Sequence, residues 1–336
     1  MQMEDCLMSM INENQLAKIA NIESIYIPYP NIQIAKNKLK EVLELNSFLA
    51  EPECVLLTGN SGSGKTSFIK QFVSHYPVIY GDEVDIRTVI YVEIPSQASI
   101  KDLCLVILKA FEDPVDNSKL TKLVLSEKVI NFTKQAKTKL LILDEFQHLT
   151  EKSTLTKVDN LANWIKNFIN VTRIPVLIVG MPESEYVLSE NAQLSRRFYT
   201  RYKLEFFSLS KKRDVVVYYK FLKSLSDKLD FENSDILIEK FYSISLYYVA
   251  NKNLALFMRI IRFACRIAIL ENVNYLKFEH FFHALSELRH YTYINDFIYD
   301  FHKRNYEVIK TYLVNEKVDW SSIDEQFSHQ TESIRK

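Results

Sequence analysis

The sequence predicts an α/β fold in which helices cover both faces of a five-stranded parallel sheet, followed by a small all-helical domain. Short apolar runs alternate with helical patterns from about residue 54 to residue 209. Such alternation is typical of parallel sheets, because their strands are buried on both faces. After about Ser208 only helical patterns remain. A third observation is a cluster of glycines, Gly59, Gly62 and Gly64, in a chain with five glycines among its 336 residues.

The individual elements follow from these patterns in chain order. Five apolar runs predict the strands CVLLTG (54–59), RTVIYVEI (87–94), KLLILDE (139–145), IPVLIVG (174–180) and the weaker YKLEFFSL (202–209). A helical pattern at about 32–48, with Asn31 as N-cap, precedes the first strand, and further patterns lie between the strands at 65–75, 99–111, 120–137 and 161–172. The second half of the chain has helical patterns at about 210–230, 233–248, 253–271 and 277–290.

These patterns divide the chain into four predicted segments. They are an N-terminal segment at 1–20, an α/β core at 21–207, an all-helical domain at 208–290 and a C-terminal arm at 291–336. The arm begins with aromatic residues and ends polar. It is predicted either as a partner-binding arm or as a frayed terminus.

The composition excludes several classes of protein. Lysine plus arginine equals aspartate plus glutamate, at 42 each, which argues against a general nucleic-acid coat but leaves room for a local basic groove. The cysteines are scattered without a CxxC pair, which favours free thiols in a reducing compartment; they are Cys6, Cys54, Cys104 and Cys265. The N-terminus lacks the pattern of a signal peptide. No run of ~18 apolar residues predicts a membrane span, so we expect a cytoplasmic protein.

The glycine cluster has the spacing of a phosphate-binding loop, or Walker A motif. Gly59 is followed after four residues by Gly64, Lys65 and Thr66, between a predicted strand and a predicted helix. In this motif Lys65 would bridge the β- and γ-phosphates of a nucleotide, and the Thr66 hydroxyl would hold Mg²⁺. The predicted nucleotide-binding residues of the loop are Gly59, Asn60, Ser61, Gly62, Ser63, Gly64, Lys65, Thr66 and Ser67.

Two carboxylates end the third predicted strand. Asp144 and Glu145 lie at the carboxyl end of a buried strand, the edge of a parallel sheet where ligands bind. Asp144 is predicted to contact Mg²⁺, mostly through water, and Glu145 to polarise the attacking water as a Walker B pair. The segment DEFQ lacks the Asp-x-x-Gly pattern of GTPases, and TKVD (156–159) follows no strand. ATP is therefore favoured over GTP.

The fourth strand ends without the polar residue that often touches the γ-phosphate there. Gly180 and Met181 have no side chain suited to this role. Glu183 and Ser184 are the candidates, unless the role is reduced. We expect Gly180 to permit close backbone approach near the loop.

Arginines suggest a site completed from outside the core. Arg196 and Arg197 precede the fifth strand, where assembling ATPases place a finger that reaches the neighbouring subunit's ATP; a solvated pair is the alternative. Arg259, Arg262 and Arg266 share one helix face. One of them, with Arg259 as the candidate, is predicted to tie the helical domain to the nucleotide.

Several segments occur in an order that resembles one family. They are YIPYP, LLTGNSGSGKTSFIKQF, VIYVEIP, LLILDEFQHL, IPVLIVGMPES and LSRRF. Together they are similar to the TnsC/TniB group of AAA+ ATPases, which regulate Tn7-like and CRISPR-associated transposons. The resemblance spans about residues 20–290, and the helical domain at 208–290 corresponds to the family's lid.

The resemblance implies a regulator rather than a transposase. Such proteins assemble with ATP and Mg²⁺ as rings or filaments on double-stranded DNA and link a TniQ-like target-selection protein to the transposase. Hydrolysis then controls disassembly or target choice. By resemblance, Lys101 and Lys119 are the candidate DNA contacts, and Tyr29 is the candidate wall of the adenine pocket.

Two other hypotheses remain open at this point. The chain could be an initiator- or clamp-loader-like AAA+ ATPase, although the roughly 46 residues after residue 290 are few for the DNA-binding domain that initiators append. It could also be a signalling or defence NTPase switched by nucleotide and not acting on DNA. Turnover of ATP with and without duplex DNA distinguishes the latter.

Overall fold

A computed structural model describes residues 11–149, 155–189, 191–288, 310, 313 and 317–327. The chain forms two compact units. The α/β unit is contiguous and spans Pro30–Glu205, whereas the helical unit combines residues before and after it, up to Tyr29 and from Phe206. The sequence patterns assign residues 21–29 to the core. The structure groups them with the helices.

The α/β unit is built on the five-stranded parallel sheet that the sequence predicts. Its strands are β1 (Val55–Gly59), β2 (Val89–Glu93), β3 (Leu140–Asp144), β4 (Val176–Gly180) and β5 (Thr200–Leu204). They are arranged in the order β2-β3-β4-β1-β5, and all neighbouring pairs are parallel. Every residue of β1, β3 and β4 is buried, which explains their continuous apolar sequences.

The fifth strand lies earlier in the chain than predicted. It ends at Leu204, and its residues alternate between half-buried and exposed before that buried end, as suits the edge of a sheet. The following Phe206 and Phe207 belong to the helical unit. Their rings lie 5.4 Å from those of Tyr247 and Tyr218, respectively. The aromatic run that resembled a strand therefore contributes to a different core.

The helices are numbered in chain order across both units. They are α1 (Glu13–Ser24), α2 (Pro30–Leu45), α3 (Lys65–Val73), α4 (Ile100–Ala110), α5 (Lys122–Gln135), α6 (Leu155–Thr172), α7 (Glu185–Ser189), α8 (Ala192–Ser195), α9 (Lys212–Ser226), α10 (Lys240–Ala250), α11 (Leu254–Leu270), α12 (Phe278–Glu287) and α13 (Trp320–Phe327). Short 3-10 turns lie at Asn46–Phe48, Phe146–Leu149, Pro182–Ser184 and Ser234–Ile238. The predicted cap Asn31 lies inside α2, because Pro30 fits the first helical position.

One apolar core lies between the sheet and helices α4, α5 and α6. Phe146, Phe168 and Phe198 are fully buried in it. Burying one such side chain stabilises the fold by about 1.5–3 kcal/mol. The core therefore fixes the carboxyl ends of β3 and β4, where the polar residues of the candidate site begin.

The helical unit encloses a second aromatic core. Tyr218 is fully buried there, and its hydroxyl donates to the Ser243 carbonyl at 2.7 Å. The described part of the predicted C-terminal arm includes α13, whose Ile323 and Phe327 are buried. The ring of Phe327 lies 5.3 Å from that of Tyr219 on α9. The rest of the arm, like residues 1–10, lies outside the described residues.

Helix α1 is part of the helical unit and is bonded to the end of α11. Asn12 caps α1 and forms a capping box with Gln15. Gln15 in turn donates from Nε2 to the Ile269 carbonyl and to Asn272 Oδ1, each at 3.0 Å. Among the described residues, no helix is both long enough and apolar enough to cross a membrane.

Candidate nucleotide-binding site

The glycine loop connects β1 to α3 at the carboxyl edge of the sheet. Gly62 and Gly64 adopt φ angles of 76° and 90°, in the left-handed region where a side chain is strained. Gly59 is required for a different reason. A Cβ there would lie 2.6 Å from both the Leu204 carbonyl oxygen and Ser63 Oγ. The loop therefore needs glycine both for its turn and for its close contact with β5.

Lys65, the first residue of α3, is held inside this loop. Its side chain is 6% exposed, and Nζ donates to the carbonyls of Gly59 at 2.6 Å and Asn60 at 3.0 Å. Burial lowers the pKa of the ammonium group, while the nearby carboxylates of Glu145 and Asp144 act in the opposite direction. A buried cation at a helix N-terminus, beside a glycine turn, is suited to bind an anion such as phosphate.

The threonine that follows connects the loop to the end of β3. Thr66 Oγ1 donates to Asp144 Oδ2 at 3.0 Å, and the Tyr91 hydroxyl donates to the same oxygen at 3.1 Å. Asp144 is fully buried, and burial raises the pKa of its carboxyl group. A hydroxyl and a carboxylate are the hard oxygen ligands that Mg²⁺ prefers. The donor set therefore fits a magnesium ion shared with a nucleotide.

Glu145 adopts an uncommon backbone conformation next to Asp144. Its φ is 56°, a left-handed value that a non-glycine residue seldom adopts and that often accompanies a functional site. The Glu145 backbone N–H donates to Asp144 Oδ1 at 2.9 Å. This bond supports the sharp turn that separates the two carboxylates.

Gln147 links Glu145 to the end of β4. Its side chain is 6% exposed. Nε2 donates to the Glu145 carboxylate, and Oε1 accepts the Met181 backbone N–H at 3.0 Å. Motif spacing alone does not identify this residue. The signal that could identify it is a polar residue two positions after an acidic pair at a strand end.

The end of β4 places the two other polar candidates differently. Ser184 is fully buried, and its Oγ has no hydrogen-bond partner among the described residues. Glu183 is exposed. A Cβ on Gly180 would lie 2.2 Å from Ser184 Oγ and 2.8 Å from Gln147 Oε1. Gly180 therefore leaves room for the side chains of Ser184 and Gln147, whereas the sequence predicts close backbone approach near the loop.

The two arginines before β5 have different surroundings. Arg197 Nη2 donates to Asn170 Oδ1 at 2.7 Å. The side chain of Arg196 is exposed, and the described residues offer it no hydrogen bond or ion pair. Arg196 is thus accessible for a contact outside the unit, while Arg197 is engaged within it.

The candidates from the flanking segments, Tyr29 and Arg259, belong to the helical unit. Tyr29 is 5% exposed, and its ring lies 5.4 Å from that of Phe207. It therefore forms part of that unit's core. Arg262 and Arg266 both pair with Glu23 of α1, at 3.6 Å and 3.0 Å.

Arg259 differs from the other two arginines of its helix face. It is exposed, and its side chain has no ion pair or hydrogen bond to the described part of the chain. Of the three, Arg259 remains the candidate for contact with nucleotide.

Both candidate DNA contacts lie in the α/β unit, Lys101 in the first turn of α4 and Lys119 in a turn before α5. Lys101 lines a cavity of about 420 Å³ together with Lys122, Lys157 and His148, and its Nζ donates to the Ser118 carbonyl at 2.8 Å. Lys119 is exposed but does not line the cavity. The cavity collects positive charge at the first turns of α4, α5 and α6, where helix dipoles add to it.

Comparison with known proteins supports one family and one fold. The family model described as "Bacterial TniB protein" matches residues 18–207. No curated protein matches the chain. The residues matched include the glycine loop, the acidic pair and both arginines before β5.

Several solved structures have a similar fold. The Aeropyrum pernix ORC2 protein in its ADPNP–ADP complexes has a TM-score of 0.56 at 18% identity, covering 80% of this chain and 70% of that one. The Aeropyrum pernix ORC1 protein in complex with DNA has a TM-score of 0.55 at 15% identity, covering 81% and 69%. Cdc6p from Pyrobaculum aerophilum has a TM-score of 0.55 at 14% identity, covering 80% and 70%. At such identities the likeness shows the fold alone, and it confirms the predicted AAA+ architecture.

Proposed function

Because this chain belongs to the TniB family of AAA+ ATPases, we propose that it binds and hydrolyses ATP and that ATP assembles it on double-stranded DNA. In this role it regulates transposition by linking a TniQ-like target-selection protein to the transposase. The observation that carries the proposal is the contact between Thr66 and Asp144. It brings the phosphate-binding loop and the acidic strand end together as one site.

The residues around this contact have separate roles in hydrolysis. The loop, Gly59 to Ser67, binds the phosphates, and Lys65 balances their charge. Thr66 and Asp144 would hold Mg²⁺, which would neutralise negative charge on the nucleotide. Glu145 accepts a proton from the attacking water. ATP is favoured over GTP, since the chain lacks the guanine-specific patterns.

Arginines complete the site in the proposed assembly. The exposed Arg196 reaches the ATP of a neighbouring subunit and stabilises the charge that develops during transfer. Arg197 supports the segment through Asn170. In the helical unit, Arg259 is the proposed contact to nucleotide, and Tyr29 the proposed neighbour of the adenine.

DNA contact is proposed at the cavity that Lys101 lines. Phosphates of the duplex backbone suit a recess with lysines and helix N-termini, because these groups bind anions without reading sequence. Lys119 lies beside it and adds charge. One subunit supplies few contacts, so cooperative assembly along the duplex provides the affinity and the overall charge can stay balanced.

The family also suggests the partners of this activity and where it takes place. Transposition is the context of TniB proteins, and from it we infer transposase subunits and a TniQ-like protein as partners. Self-association as a ring or filament follows from a finger that acts between subunits. Cytoplasmic residence, where the DNA is accessible, completes the proposal.

One experiment tests the assembly directly. The full chain is mixed with ATP, Mg²⁺ and duplex DNA at low salt and viewed by negative-stain electron microscopy, with ADP and DNA-free samples beside it. Rings or filaments that require both ATP and duplex are expected. Monomers under these conditions would overturn the proposal. A rate of ATP turnover that is the same with and without duplex DNA would instead favour a nucleotide-switched NTPase that does not act on DNA.

A further inference from the structure

We propose that Gln147 is a positioning residue for hydrolysis, which holds the Glu145 carboxylate and ties it to the end of β4. The inference rests on the proposed ATPase function, since it concerns the same site. Gln147 does not itself need to touch nucleotide. It acts through the two groups that its amide joins, the Glu145 carboxylate and the Met181 backbone N–H.

The orientation of the amide follows from its partners. The Met181 backbone N–H can only donate a hydrogen bond, so the group facing it at 3.0 Å must be the acceptor Oε1. The donor Nε2 is then left to face Glu145. A carboxylate accepts hydrogen bonds on both oxygens. The network is therefore consistent only with the amide donating to Glu145 and not the reverse.

The surroundings fix this arrangement in place. Gln147 is 6% exposed and lies in the 3-10 turn Phe146–Leu149, whose Phe146 is fully buried. The absence of a side chain on Gly180 provides the space, since a Cβ there would lie 2.8 Å from Gln147 Oε1. A buried amide with both ends bonded is costly to displace. Its geometry is accordingly set before nucleotide binds.

Glu145 needs such a support because its backbone is strained. With φ at 56°, the residue occupies a left-handed conformation that is unfavourable for a residue with a side chain unless its surroundings hold it. The bond from its N–H to Asp144 Oδ1 fixes the backbone, and Gln147 fixes the carboxylate. A base held in one place serves water activation better than a side chain that samples several rotamers.

The end of β4 gains a polar contact that its own sequence lacks. Gly180 and Met181 offer no polar side chain at the strand end. Gln147 approaches from the β3 side and bonds to the Met181 backbone. Through this bond the position of Glu145 depends on the β4 end, which continues through α7 and α8 to Arg196.

The test compares two variants of Gln147. Gln147→Met has a side chain of similar length that forms neither hydrogen bond. Gln147→Glu keeps an acceptor for the Met181 N–H but loses the donor to Glu145. Gln33→Met, at an exposed position of α2, is the matched control. The full chain is assayed with saturating ATP, Mg²⁺ and duplex DNA for turnover, and with a fluorescent ATP analogue for nucleotide affinity. Melting temperature reports on folding.

If Gln147 positions Glu145, its substitution should lower the rate of ATP turnover without weakening nucleotide binding. We expect both Gln147 variants to lower kcat by roughly 10- to 100-fold while nucleotide Kd stays within about 3-fold and the control behaves as the parent. If Gln147→Met does not fold, Gln147→Glu supplies the measurement. Parent-like kcat in a folded Gln147 variant would overturn the inference, as would parallel losses of kcat and nucleotide affinity.

A double variant distinguishes this inference from the proposed function. If Gln147 acts through Glu145, then Gln147→Met added to Glu145→Gln should lower the residual turnover no further. If the two substitutions lower turnover additively, Gln147 acts independently of Glu145. That result would overturn this inference but not the proposed function. Parent-like turnover of the single variant Glu145→Gln would overturn the assigned role of Glu145, and the inference with it.

Discussion

Arg197 donates a hydrogen bond from Nη2 to Oδ1 of Asn170 at 2.7 Å, close to the end of α6. Its carbonyl accepts the Cys54 backbone N–H at 3.1 Å, beside β1. Both contacts tie Arg197 into its own unit. The adjacent Arg196 is exposed, and its side chain meets no bonding partner in the described ranges. Two consecutive arginines therefore differ in whether they can serve a neighbour.

The first prediction concerns this difference. Arg196→Ala should abolish most of the DNA-stimulated ATP turnover while leaving nucleotide affinity of the isolated chain unchanged; such fingers contribute a factor of about 10³ or more. Arg197→Ala should mainly lower the melting temperature. Steady-state turnover of both variants, assembled and unassembled, provides the comparison.

A mixing experiment adds a control for action between subunits. Arg196→Ala and Lys65→Ala should each be nearly inactive alone, whereas a mixed assembly would pair an intact loop with an intact arginine from the next subunit. Partial recovery of turnover on mixing is expected. Equal loss in isolated Arg196→Ala monomers would instead show that the arginine acts within its own chain.

The second prediction tests Lys65. Lys65→Ala should weaken ATP binding by about 100-fold, because alanine cannot form the buried, charge-assisted hydrogen bond to phosphate. Lys70→Ala, on the exposed face of the same helix, is the matched control. Isothermal titration with ATP and Mg²⁺ measures both. Unchanged affinity in the Lys65 variant would remove the loop from the nucleotide site.

The third prediction concerns Glu145. Glu145→Gln should bind ATP like the parent but turn it over about 10²- to 10⁴-fold more slowly, the usual contribution of a general base. The assembly should then persist in its ATP form on DNA. Time-resolved light scattering after ATP addition measures that persistence. Disassembly at the parent rate would contradict the assignment.

The fourth prediction compares the two lysines near the cavity. Lys101→Ala should weaken duplex binding and reduce the magnitude of the salt slope by about 1 for each phosphate that the lysine neutralises. Lys119→Ala should have a smaller effect, because this side chain does not line the cavity. Lys40→Ala, exposed on α2, serves as control. Fluorescence anisotropy across a salt series measures all three, and identical slopes would exclude the cavity.

The fifth prediction is about stability of the helical unit. Tyr218→Phe removes the buried hydrogen bond from the hydroxyl to the Ser243 carbonyl, at a cost of about 0.5–1.5 kcal/mol. Tyr275→Phe, at a residue 46% exposed, should cost little. Urea unfolding followed by far-UV circular dichroism gives both values. Equal stability of the two variants would mean that the hydroxyl bond contributes nothing net.

Much of the α/β unit is predictable from sequence because its strands are continuous apolar runs. The patterns predict β1, β2, β3 and β4 close to their observed bounds. The edge strand β5 is the exception, since burial alternates along it, and the stronger apolar signal of Phe206 and Phe207 belongs to the helical unit. A local pattern of apolar residues predicts that a residue is buried, but it does not predict in which of the two cores.

The residues of the candidate site also differ in how well the sequence predicts them. The loop and the acidic pair are predictable because their spacing along the chain sets their geometry. Gln147 is not, because its importance depends on the Met181 N–H, which another strand brings to it. Helix α1 could have been predicted, since Asn12 and Gln15 have the spacing of a capping box.

The docking of α1 also has a consequence for the order in which the chain folds during synthesis. The bond from Gln15 to Ile269 joins residues 254 positions apart, and the whole α/β unit is synthesised between them. That unit is contiguous and can collapse as it leaves the ribosome, since domains generally fold as units. Helix α1 is synthesised before that unit, whereas its partner α11 is synthesised after it. The helical unit is therefore completed only after the α/β unit, and until then Gln15 and Ile22, which α1 buries in the folded protein, lack their partners.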